Sequence, residues 1–195
     1  DASHLFVKQA EVQAEAGNAA AVSELIREYK ASQYYDPKPY AWSGGTKPGD
    51  PLLVARPNAS DNDSLPLTMM EKALVRAKSA PGVVFPDATL ADISGRSFAL
   101  SSLRGKVVLV DFFARGWKVW EENLPQTMDI WNRYNAAGFE VVSICLEPNA
   151  TGLEAHRLPW SVVAGAPALT KPLGIYGETT SYLLDGNGRV IARDL

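Results

Sequence analysis

A chain of 195 residues with 46% apolar and 21% charged residues is ordinary for a globular protein, and long enough for one domain plus an appendage. Its net charge of −3, with no Lys/Arg run, argues against a nucleic-acid or anionic-membrane surface. No apolar stretch approaches the ~18–20 residues that span a bilayer, and one cysteine with two histidines can make neither an internal disulfide nor a Cys/His zinc site. The chain opens Asp-Ala-Ser-His, without an initiator methionine or a signal-peptide pattern, which suggests a processed or truncated product.

Residues 1–32 read as a helical segment. Ser3 can cap its start, and Leu5, Phe6, Val12, Val22, Leu25, Ile26 and Tyr29 recur at helical spacing. Gly17-Asn18 interrupts the pattern, so one long helix and two antiparallel ones both fit. Residues 33–80 read as a Pro/Gly-rich linker ending in a helix from Thr68 to Ala80, with Met69, Met70, Ala73, Leu74 and Ala77 on one side.

Residues 81–195 follow a different rhythm. Thr89 to Leu100 reads as a hairpin turning at Asp92–Gly95. Val107-Val-Leu-Val-Asp-Phe-Phe113 is an apolar run suited to a central parallel strand. A helix is expected from about Trp117 to Ala137, then a second buried strand from Phe139 to Leu146 and a short helix. The last hairpin turns at Asp185-Gly-Asn-Gly188. The order predicts an α/β fold, with a mixed sheet, parallel at its centre and antiparallel at one edge, flanked by helices. Cys145 lies within the second strand and reads as a small core hydrophobe rather than a reactive thiol. His4 and His156 read as surface residues.

Six segments in order carry a resemblance. They are Phe85-Pro-Asp with the Leu90 to Arg96 turn, Ser101 to Ala114, Leu124-Pro125, Gly138 to Ile144, Leu158-Pro159-Trp160, and Tyr182 to Ile191. Together they resemble the thioredoxin-like proteins of the TlpA/ResA group, relatives of the AhpC/TSA (redoxin) proteins. The resemblance implies a thioredoxin-like fold over 81–195, whose usual final helix has no counterpart before Leu195. It also implies an extracytoplasmic bacterial setting, in the periplasm or on the outer face of the membrane.

At the site the chain departs from the family. Where a Cys-x-x-Cys pair is expected after Phe113-Ala114, it reads Arg115-Gly-Trp-Lys-Val-Trp120, which places Trp117 and Trp120 at the two cysteine positions. Thiol–disulfide exchange needs a thiolate at a helix N-terminus and a resolving thiol, and indole supplies no sulfur. Thr179 stands where the family has a cis-proline, and a cis bond before a non-proline costs about 2.5–4 kcal/mol, so a trans bond is expected there. Asp111 matches a buried acid that assists proton transfer in some relatives; by itself it reads as a hydrogen-bonded or half-buried strand carboxylate.

The reading is therefore a redox-inactive thioredoxin-like module for binding or structure, leaning against enzymatic activity, without cofactor or metal. A protein partner is expected on a face formed by Trp117, Lys118, Trp120 and Thr179, because Trp117 and Trp120 are three apart at a helix start; internal cover of the indoles is the competing expectation. One alternative is a working TlpA/ResA-type oxidoreductase whose site is misreported or completed by another chain. A second is a regulatory domain that binds a small ligand in the altered groove.

Overall fold

The computed structural model describes residues 2–35, 65–149, 151–175 and 180–195. The chain divides into two compact units, Asp1–Ala80 and Pro81–Leu195.

In the first unit, α1 (Ala2–Glu15), α2 (Ala19–Ala31) and α3 (Leu65–Lys78) pack pairwise on one another. The break at Gly17-Asn18 makes two helices rather than one. The Asn18 side chain accepts a hydrogen bond from the Ala21 N–H at 3.1 Å and caps α2. Ser3, expected as a cap, falls inside α1. The buried stripe of α1 is Val7, Ala10 and Ala14, whereas Leu5 and Val12 point outward at about 60% exposure. The buried stripe of α1 is thus made of small side chains that pack against larger ones such as Leu67, Met70 and Tyr29. On α3 the buried residues are Leu67, Met70, Ala73 and Ala77, and Met69 is exposed. That helix is part of the helical core, not the tail of a linker. Tyr29 closes the cluster with Phe6 and Tyr35, at ring-centre distances of 5.5 and 5.7 Å.

The second unit is built on a five-stranded sheet. Its strands are β3 (Val107–Phe113), β4 (Phe139–Cys145), β5 (Ser161–Ala164), β6 (Thr180–Leu184) and β7 (Val190–Arg193), in the order β5-β4-β3-β6-β7. A separate hairpin, β1 (Thr89–Ala91) with β2 (Ser97–Ala99), precedes it. Strands β3, β4 and β5 are parallel, joined by crossovers; β6 runs antiparallel beside β3, and β7 antiparallel beside β6. Between β3 and β4 lies α4 (Lys118–Tyr134), and between β5 and β6 lies α5 (Pro167–Leu173). The predicted helix to Ala137 thus stops at Tyr134, and a single 3₁₀ turn, Asn135–Ala137, finishes the connection.

Period-two alternation divides β3 between two cores. Val108, Val110 and Phe112 enter the main core with Val142, Ile144, Tyr182 and Leu184. Phe113 faces the other way, into a smaller cluster with Trp120, Cys145, Leu153 and Val162. Asp111, two residues before Phe113, shares that second face. Both sheet edges are partly occupied. Gly82, Val83 and Phe85 exchange backbone hydrogen bonds with Gly188 and Val190 beside β7, and the Ile93 N–H donates to Val162 O at 2.8 Å beside β5. The 185–188 turn is held by Asp185, whose carboxylate accepts the N–H groups of Asn187 and Arg189 at 2.8 Å each.

Candidate functional site

The site lies where β3 hands over to α4. Residues Ala114 to Trp117 cross from the strand end to the helix start. The Trp117 N–H donates to Ala114 O at 3.3 Å, and Trp117 is the N-cap of α4. An indole has a donor but no acceptor, so this cap satisfies none of the first helical N–H groups through its side chain. Trp117 is half-buried, while Lys118 and Val119 are exposed, Val119 at 60%.

Trp120 takes the opposite course. It is 6% exposed, and its ring lies flat on Phe113, with centroids 3.6 Å apart and planes within 4°. The ring of His156, from the 3₁₀ turn Leu153–His156, meets it edge-on at 5.2 Å. The Trp120 Nε1–H donates to Asp111 Oδ2 at 2.6 Å. Burial raises the Asp111 carboxyl from 3.8 to about 6, and the hydrogen bond from Trp120 offsets only part of that.

These positions correct the expected two-indole face. Trp117 precedes the first helical turn instead of sharing it, so a spacing of three does not align the rings. Trp120 is covered by the chain's own residues and is not available on a surface. His156, expected at the surface, is half-buried against that indole. Thr179, and the peptide bond before it, lie outside the described residues. Lys118 is in the open, as a side chain one position into a helix can be.

Cys145 sits opposite Phe113 in the β3–β4 register and is fully buried. Its thiol donates to Glu147 Oε2 at 3.0 Å. Burial, reinforced by the Glu147 carboxylate, pushes the thiol up to about 12. Glu147 also accepts the Arg115 N–H at 3.2 Å, and the Arg115 guanidinium donates to Thr151 O at 3.1 Å. The loop after β4 is therefore tied to the loop before α4. Among the described residues, no group of three or more His, Cys, Asp or Glu side chains is placed to hold a metal ion.

Phe113, His156 and Glu147 were missed by sequence reasoning. Phe113 was legible in principle, since alternation puts it on the same face as Asp111. Nothing in the irregular 147–160 segment signals where its side chains fall.

The sheet order, the crossover helix and the site at the end of β3 define a thioredoxin-like domain of the TlpA/ResA type. The AhpC/TSA family model matches residues 81–193, and the chain belongs to that family. The thiol-disulfide oxidoreductase ResA of Geobacillus thermodenitrificans is 28% identical over 116 residues, covering 57% of this chain and 67% of the relative. Among solved structures, the thioredoxin domain of a thiol-disulfide oxidoreductase from Bacteroides vulgatus superposes with a TM-score of 0.54. It is 25% identical and covers 60% of this chain and 89% of that one. A thiol:disulfide interchange protein from Bacteroides sp. gives the same TM-score and identity, covering 60% and 82%.

Proposed function

We propose that this chain is a thioredoxin-fold module of the ResA type that performs no thiol–disulfide exchange with its own residues and acts by binding a protein. The observation that carries the reading is Trp120. It occupies, by the resemblance, the second cysteine position, seated on Phe113 with its N–H on Asp111. The sole cysteine, Cys145, is buried, with its thiol pushed up to about 12, so the thiolate that exchange requires is suppressed at neutral pH. Trp117, Lys118 and Val119 supply the exposed part of the surface on which ResA-type domains would meet a polypeptide, and a half-buried indole beside an aliphatic side chain suits such contact. The setting suggested by the ResA relatives is extracytoplasmic.

The kinship with thiol–disulfide oxidoreductases favours a second reading, in which the chain exchanges disulfides with a thiol supplied from another chain. The two readings diverge in insulin reduction with dithiothreitol and in peroxide reduction. The proposed function expects rates equal to a protein-free control. Turnover by the protein alone would refute the proposed function; turnover only with an added thiol-bearing polypeptide, above what that polypeptide gives by itself, would establish the second reading.

A further inference from the structure

The centre of β3 carries a carboxylate in a place that does not suit a charge. Asp111 lies between Ser143 of β4 and Ser181 of β6 in the sheet register. Ser143 Oγ accepts the Trp160 indole N–H and Ser181 Oγ accepts the Leu195 N–H, each at 2.9 Å, and neither hydroxyl is hydrogen-bonded to Asp111. Above the carboxylate lies Trp120, whose Nε1–H is the one hydrogen-bond donor to it among the described residues. No ion pair reaches Asp111 among those residues. His156, from the turn after β4, faces Trp120 and not the acid. Glu147 is committed to Cys145 and Arg115 N, and on α4 Lys118 and Glu121 are exposed.

The same indole is also what fastens the first turn of α4 to the sheet. That turn begins at a cap without a side-chain hydrogen bond and presents Lys118 and Val119 to the exterior. Trp120 is its buried residue. Asp111 is half-buried, so seating Trp120 takes away part of the water around its carboxylate. A neutral carboxyl tolerates the cover, whereas an ionised one would gain several water hydrogen bonds if the cover lifted.

We propose that Trp120 and Asp111 form a proton-controlled latch on the first turn of α4: neutral Asp111 keeps the indole seated on Phe113, and ionisation, releasing the proton to solvent, favours a displaced turn that admits water. The latch stands whether or not Trp117 to Val119 dock a partner. In the seated form the carboxyl titrates at about 6, above the 3.8 of a free aspartate, and cover by Trp120 contributes to the burial that raises it. The difference is about two units, which sets an upper bound of about 100-fold on the change in the opening equilibrium. The sign follows from linkage. The proton's support for the seated form is complete below about 4, declines as pH rises to about 6, and is absent above that.

The test follows the tryptophan indole N–H groups by NMR between pH 4 and 8 at fixed ionic strength, with Trp120→Phe identifying the Trp120 signal. The expected result is a Trp120 resonance that titrates near pH 6. Its opening, from hydrogen exchange corrected for intrinsic base catalysis, should rise by up to about 50-fold between pH 4 and 6.5 and level off above that. Asp111→Asn should abolish both responses. The Trp131 and Trp160 indoles, which donate to Glu140 and Ser143, are internal controls and should show no such rise in opening. A flat Trp120 profile, an unchanged profile in Asp111→Asn, or the same rise at all three indoles would overturn the latch. The controls retain their force even if the Asp111 variant does not fold.

Discussion

Replacing Trp120 by alanine should damage the second unit far more than replacing Trp117, although both are large aromatics three residues apart. Trp120 is 6% exposed, so truncation removes most of its buried apolar area and leaves a cavity between Phe113, Cys145, Leu153 and Val162. Large-to-small changes of this kind cost ~3–5 kcal/mol. The flat stack on Phe113 and the hydrogen bond to Asp111 act within that figure and do not simply add to it, because all are lost together. Against a domain stability of about 5–15 kcal/mol, this is a large fraction. With a urea m-value near ~2 kcal/mol per M, the unfolding midpoint should fall by ~1.5–2.5 M. Trp117 is half-buried, caps no N–H with its ring, and should cost ~1 kcal/mol or less, a shift of ~0.5 M. Unfolding is best read by hydrogen exchange of peptides from β3 and β4, which isolates this unit from the helical one. Equal shifts for the two variants, or a larger one for Trp117→Ala, would refute the assignment of Trp120 as the buried member.

Asp111→Asn should raise stability at pH 7.5 by ~1–3 kcal/mol, because a carboxyl titrating at about 6 opposes folding when ionised. The gain should vanish below about pH 4, where both side chains are neutral; a gain independent of pH in thermal unfolding would contradict the stated cause. Cys145, buried and hydrogen-bonded to Glu147, should resist a thiol reagent in the native protein at neutral pH and react as one thiol in denaturant. Rapid native labelling, counted by mass, would disprove that protection. Gly165→Ala should destabilise by ~2–4 kcal/mol in urea unfolding, since φ is +68° and an added Cβ would lie 2.8 Å from Pro148 Cα. A neutral substitution there would show that the 145–148 segment shifts freely.

Much of the architecture follows from local physics and was legible before any coordinates. The apolar run at Val107–Phe113 is too continuous for an edge strand, and Asp185-Gly-Asn-Gly188 has the side chain and glycines that a tight hairpin needs. Alternation along β3 likewise determines that Asp111 and Phe113 share one face. In the helical unit, Gly17-Asn18 carries a helix break and a cap in its own side chain.

What the tertiary structure decided is which side chains fill the spaces those elements leave. Helical periodicity nominated Leu5, Val12 and Met69, but the packing of the three helices on one another buries Val7, Ala10 and Leu67. A spacing of three nominated Trp117 and Trp120 as one face. The helix begins at Lys118, which removes Trp117 from the turn, and the Phe113 ring offers Trp120 a flat apolar surface beside an acceptor on Asp111. His156 and Glu147 reach the site only because the loop after β4 folds back over it, held by Arg115. Periodicity records how residues repeat along one element. Burial at the end of a strand depends on neighbours dozens of residues away, and their positions are determined only when the sheet is assembled.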